Sequence, residues 1–230
     1  MANNYWKLVP SEHATYPAVY RDAHGDENTA IERHGSMFRL TVRGVVLEGH
    51  DINLLKPVNG WDDPAASTIP RFAASPTVSS LFDCTIEWRT PIQVRVDDRT
   101  IVAVIGAELV LKRPTDLGWG NDDLTLRLEV DGEVYVGNAK DLEDAMLSLQ
   151  QSLPQHIRLV TCFGCAFSDY SVYGHGLSGM LCFRRHKDRY LAARNKDEYM
   201  DVMEDCSEYT YAMERCAEFD WRTSGTGYRG

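Results

Sequence analysis

Two cysteines three positions apart, Cys162-Phe-Gly-Cys165, close an apolar run, Ile157-Arg-Leu-Val-Thr-Cys162, that reads as a strand. A C-x-x-C turn at a strand end can aim two thiolates at one cation from about 2.3 Å. Tetrahedral zinc needs two further ligands. Cys182 and Cys216 are the candidates, with His175 as a replacement. These later cysteines stand singly, so spacing alone leaves several chemistries open. Cys162, Cys165, Cys182 and Cys216 can form a closed structural zinc site. They can instead be small apolar core residues, or a redox pair with a lowered thiol pKa. The redox form usually opens a helix, and the sequence after Cys165, Ala-Phe-Ser-Asp-Tyr-Ser, does not read as one. A nucleophilic reading takes Cys165 as nucleophile, His175 as base and Asp169 as the orienting acid. All three fall within eleven residues, whereas catalytic Cys and His come from separate elements of a fold. The plainer account makes Asp169 a turn residue and Gly174-His-Gly176 a tight turn, since no P-loop Lys follows. Cys84 lies in an alternating segment and is expected in the core.

A second chemistry lies further along. Residues 197–220 carry nine carboxylates, among them Asp201, Glu204, Asp205 and Glu208, against the single base Arg215. That segment holds most of the chain's net charge of −10. Tyr209, Tyr211 and Trp221 are interleaved with or follow the acids. Charge of one sign steers a basic partner, and large rigid side chains supply burial at the centre of a contact. A solvated helix face is the plain alternative.

The elements that must position these groups fall into two grammars. From Met37 to about Val136 apolar residues alternate, as in Ile92-Gln-Val-Arg-Val96 and Leu124-Thr-Leu-Arg-Leu-Glu-Val130. Half-buried antiparallel strands have that period. Asp131-Gly132, between two such runs, is a hairpin signal. Residues 53–80 hold Pro57, Pro64, Pro70 and Pro76 with little periodicity and read as a long loop or flap. After Asn138 the period lengthens. Leu142, Ala145, Met146 and Leu149 share a helical face that ends before Pro154. Further helices are expected over residues 187–193 and 196 to about 216. The expected class is α+β: a β-rich antiparallel part over 1–138, sandwich-like or a curved sheet, and a helical, cysteine-bearing part over 139–230, forming one continuous unit.

At 230 residues, with 43% hydrophobic and 25% charged residues, the chain is long enough to bury a core without disulfide staples. Its acidity argues against a broad nucleic-acid-binding surface. The N-terminus lacks a basic stretch followed by an apolar run, and the longest apolar stretch, 101–111, is too short to span a bilayer. The expectation is a cytoplasmic protein with reduced thiols and no membrane partner.

The run Cys162-Phe-Gly-Cys-Ala-Phe-Ser-Asp-Tyr-Ser-Val-Tyr-Gly-His-Gly176, with Leu181-Cys-Phe-Arg184 and the closing Gly225-Thr-Gly-Tyr-Arg-Gly230, resembles an uncharacterised bacterial family, a domain of unknown function. The resemblance covers about the last seventy residues well and the β-rich part loosely. Its pattern has Cys-Pro-Glu-Phe where this chain has Cys216-Ala-Glu-Phe219. It implies that Cys162, Cys165, Cys182 and Cys216 belong together, which favours structural zinc, and it implies no catalytic activity. The functional expectation is an acidic binding protein, most concretely an immunity-type inhibitor of a basic toxin such as a nuclease. In it Asp201, Glu204, Asp205, Glu208, Tyr209, Tyr211 and Trp221 would meet the partner. The alternatives are an enzyme built around Cys165, Asp169 and His175, and a zinc-stabilised scaffold subunit.

Overall fold

The computed structural model describes residues 13–75, 78–113, 122–170, 179–204 and 208–228. The chain opens with β1 (His13–Asp22) and β2 (Gly25–His34), a long antiparallel pair, followed by β3 (Met37–Val42) and β4 (Val45–Gly49). β5 (Lys56–Pro57) pairs with β4, and β6 (Arg71–Ser75) pairs with β7 (Val78–Leu81) as a separate ribbon. Two 13-residue strands follow, β8 (Cys84–Val96) and β9 (Arg99–Leu111), then β10 (Asp123–Val130) and β11 (Glu133–Ala139). α1 (Leu142–Ser152) leads to β12 (Ile157–Val160). The C-terminal region holds β13 (Ser168–Asp169), β14 (Gly179–Cys182), α2 (Lys187–Ala192), α3 (Lys196–Glu204) and β15 (Glu208–Tyr211).

Ten of these strands form one antiparallel sheet in the order β11-β10-β9-β8-β1-β2-β3-β4-β5, with β12 joined to β8. The coarse class is as expected, β-rich antiparallel sheet with a few helices. Two of the hairpin turns have a local cause. Arg43-Gly44 and Asp131-Gly132 both have positive φ at two successive residues, the backbone of the type I′ turn whose twist matches that of the strands. Along β8 every second residue from Cys84 to Val96 is buried, so one face of the sheet is inner and the other meets solvent.

β8 carries two partners on one edge. Residues 85–88 pair with β1 and residues 93–96 pair with β12. Pro91, which has no N–H to offer a ladder, falls in the interval between them.

Three units cover the inner face. α1 lies over β11 and β10, so close that a Cβ on Gly137 would stand 2.4 Å from both the Ala145 carbonyl oxygen and the Leu149 nitrogen. Asp141 caps this helix by accepting the Asp144 amide at 2.9 Å. The segment from Ile52 to Ile69, whose two short 3-10 turns and strand β5 stand in the first part of the loop or flap expected over 53–80, buries Ile52, Leu55, Ala66 and Ile69 in the core. The small sheet β13-β14-β15 delivers Tyr211, which packs 5.8 Å from Tyr16 on β1 and 5.7 Å from Phe38 on β3. Buried residues from before and after residue 138 belong to one hydrophobic cluster.

Residues 196 to about 216, expected as one helix, are not one. α3 ends at Glu204 and β15 begins at Glu208, because Thr210 and Tyr211 are drawn into the core. α2 and α3 bury Tyr190, Tyr199 and Val202 in a satellite cluster with Leu181 and Phe183 of the β14 segment. No helix among the described residues is long and apolar enough to cross a membrane.

Candidate functional site

The cysteine knuckle is a single 3-10 turn over Cys162–Gly164, closed by the Cys165 amide donating to the Cys162 carbonyl at 3.1 Å. The segment is threaded between two later stretches of chain. The Cys162 and Phe163 amides donate to Glu214 and Ala212 carbonyls, and the Ala166 amide donates to Asp220. Arg222 fastens the turn from outside, giving Nη2 to the carbonyls of Cys165 and Ser168 and Nη1 to the Tyr190 hydroxyl. The Phe167 amide reaches the Cys165 sulfur at 3.5 Å, a contact that favours the thiolate. Cys182 ends β14 opposite Ser168, and Cys216 sits on the turn after β15.

These four thiols are electrostatic neighbours. Burial pushes the Cys162 thiol up, and the charges of Cys165, Cys182 and Cys216 raise it further, while the Thr210 hydroxyl at 3.4 Å works the other way. Burial also raises Cys165, with the Phe167 amide and the backbone at Asp220 opposing it. Cysteines 162, 165 and 216 are buried and Cys182 is half-buried, and none of the four is in a disulfide. Among the described residues, no three His, Cys, Asp or Glu side chains are gathered as a group that could hold a metal ion.

Of the nucleophilic arrangement, Cys165 and Asp169 are described. Asp169 is 3% exposed and turned inward, accepting the Tyr190 hydroxyl at 2.8 Å and the Tyr170 amide at 2.8 Å. His175 lies outside the described residues. A raised Cys165 pKa is also the reverse of what an activated thiolate needs.

The acidic segment divides. On α3, Asp197, Asp201 and Glu204 recur at helical spacing, all exposed and opposite the buried Tyr199 and Val202. Tyr209 is 62% exposed. Trp221 is half-buried, with the Arg158 guanidinium 3.8 Å from its ring centroid. Asp205 lies outside the described residues, and of Glu208 only the backbone is described, in β15. Tyr211 is no surface anchor: it is 1% exposed, and its hydroxyl accepts from Trp88 Nε1 at 3.2 Å. Glu214 also leaves the surface set, and Glu218 is paired with Lys187 at 2.7 Å.

Sequence reasoning missed the contact that Glu214 makes. Its carboxylate takes Arg33 Nη2 at 2.6 Å and the Tyr16 hydroxyl at 3.2 Å, with the Arg33 and Glu214 side chains only 4% and 12% exposed. Burial raises the Glu214 pKa against the lowering by Arg33. The pair fixes the C-terminal region to β2 and β1. A separation of 181 residues leaves no local signal that could have found it.

The fold and these contacts define an antiparallel β-sheet protein whose inner face is closed by a helix and a cysteine-bearing C-terminal unit. The sequence of residues 14–168 matches a family of unknown function, DUF6304, and the chain belongs to that family. The matched span takes in the large sheet, α1, β12 and the knuckle; the C-terminal pattern from Asp169 onward lies beyond it. No curated protein and no solved structure matches the chain.

Proposed function

We propose that this chain is an acidic protein-binding domain of the immunity type, which acts in the cytoplasm and neutralises a basic toxin, such as a nuclease, by covering its cationic surface. The observation that carries the reading is the outer face of α3. Asp197, Asp201 and Glu204 form one exposed stripe, and Tyr209, 62% exposed, lies on the strand that follows the helix. Carboxylates so arranged imitate a phosphate backbone and steer a cationic partner, while an exposed tyrosine can be buried at low entropic cost. Asp205 and Glu208 extend the acidic run in sequence. In the same reading a structural zinc draws Cys162, Cys165, Cys182 and Cys216, which the described residues do not gather into a metal group, into one site that fixes the base on which α3 is presented. Four thiols from three elements and their mutual electrostatic influence support it.

The test is a titration against a panel of basic nucleases made by the cells that produce the protein, at low and high salt. Wild type should bind one of them and inhibit it, with affinity falling as salt rises. The triple variant Asp197→Lys, Asp201→Lys, Glu204→Lys should lose that affinity by at least tenfold. Equal binding by wild type and variant, or no inhibition of any panel member, would remove the proposal. Zinc is read separately, as one equivalent per chain by elemental analysis, lost in Cys162→Ser.

A further inference from the structure

The outer face of the large sheet carries a second constellation, far from the acidic stripe in sequence and built by strand register. Inner positions of the first three strands are Tyr16, Ala18 and Tyr20, Ile31 and Arg33, and Phe38, Leu40 and Val42. His13, His34 and Met37 therefore share the opposite face. Register places them in one row, His13 directly opposite His34 and His34 directly opposite Met37.

The two imidazoles face one another through like atoms. Nδ1 of His13 lies 2.7 Å from Nδ1 of His34, with ring centroids 4.8 Å apart and planes inclined at 71°. Two lone-pair nitrogens hold that separation only with a cation or a proton between them. Nitrogen ligands at about 2.0–2.1 Å from one metal, in adjacent corners of a square, stand about 2.9 Å apart. The other nitrogen of His34, Nε2, stands 3.6 Å from the Glu32 carboxylate. A carboxylate behind a ligating histidine fixes the tautomer that leaves the opposite nitrogen free for metal. Met37 is half-buried on the neighbouring strand, and side chains directly opposite across a ladder have Cβ atoms about 4.5–5.5 Å apart. Its thioether adds a soft ligand to two borderline ones.

We propose that His13, His34 and Met37 form a binding site for a single divalent transition ion, copper above its neighbours, with Glu32 as the residue that positions His34. Copper(II) heads the affinity order for nitrogen ligands, and the thioether adds to the preference. The inference is independent of the acidic partner-binding reading and of the cysteine site, since no residue is shared.

Untagged protein is titrated with Ni2+, which leaves thiols unoxidised, and then with Cu2+ for electron paramagnetic resonance. The expected result is one ion per chain, nickel weaker than copper, with hyperfine coupling to two nitrogens. His34→Ala should weaken Ni2+ binding by more than the tenfold to hundredfold expected for Glu32→Gln. Both sites are exposed, so the urea midpoint of each variant should match wild type and exclude a folding defect. Met37→Leu should change the copper spectrum and leave the nickel affinity within a few fold. Binding unchanged in His34→Ala, or no Ni2+ bound at millimolar concentration, would each overturn the assignment.

Discussion

Replacing Arg33 by methionine keeps most of the side-chain volume and removes the charge beside Glu214. The carboxylate is then buried with the Tyr16 hydroxyl as its remaining described partner. Breaking a buried pair from one side costs about 3–5 kcal/mol. Glu214 has an escape, because it can take up a proton. At pH 7 the solution lies about 2.5 units above the ordinary glutamate value of 4.5, and each unit is worth about 1.36 kcal/mol. Protonation therefore caps the charge penalty near 3.4 kcal/mol, to which the lost bond from Arg33 Nη1 to the Gly35 carbonyl adds about 1 kcal/mol. At pH 5 the same cap shrinks to about 0.7 kcal/mol. The sign follows from proton linkage. The folded carboxyl holds its proton more tightly than the unfolded one, so stability from this group is greatest below pH 4.5 and falls as pH rises through the raised folded value. Losing Arg33 widens that window. Urea unfolding of wild type and Arg33→Met at half-unit steps from pH 5 to 8 should show a gap of about 3–4 kcal/mol at pH 7 that closes to about 1–2 kcal/mol at pH 5. Glu214→Leu provides the control. It removes the titrating carboxyl and strands an arginine that cannot deprotonate, so its loss should be no greater at pH 7 than at pH 5, the reverse of the Arg33→Met trend. A loss under about 1 kcal/mol at pH 7 for Arg33→Met, or one that does not vary with pH, would refute the reasoning.

Gly137→Ala would push a methyl group into the α1 backbone. It should lower stability by about 1–3 kcal/mol and the thermal midpoint by several degrees in a calorimetric scan. Burial would raise Asp22, but hydrogen bonds from Arg43 and from the His24 amide outweigh it and hold the carboxyl below 3.8. Its contribution is therefore full above pH 3.8 and lost as pH falls through the lowered folded value. Asp22→Asn should cost about 1.5–3 kcal/mol at pH 7, and its urea midpoint should converge on that of wild type as the pH is taken below the lowered value. Cys84 is pushed up to about 12, chiefly by burial. Mass-mapped iodoacetamide labelling at pH 8 should leave it unmodified in the native protein and modify it in urea.

Alternation made the sheet legible wherever one face of a strand is apolar. β8, β9 and β10 announce themselves, and Asp131-Gly132 marks its hairpin by a backbone that few other residue pairs adopt. β2 does not, because of its ten residues only Ile31 and Arg33 are fully buried, and one of these is charged. The acidic segment misled in the opposite way. Glu208-Tyr-Thr-Tyr211 sits among carboxylates that suit a solvated helix, and tertiary packing against Tyr16, Phe38 and Trp88 draws it into a strand. The knuckle was legible as a turn at a strand end. What fastens it was not, since Arg222 and Glu214 come from parts of the chain more than fifty positions away.

The shared edge of β8 has a consequence for synthesis. During translation the chain emerges from its N-terminus, so β8 can pair with β1 and β9 long before β12 leaves the ribosome. Until residues 157–160 arrive, the ladder positions at 93–96 stay open on that side. An open ladder recruits foreign strands. Arg33 likewise waits for Glu214, which is made 181 residues later. A nascent chain halted near residue 140 would thus carry an unfilled edge and a stranded cation together. The growing protein depends on β12 and on Glu214 to become inert toward its neighbours.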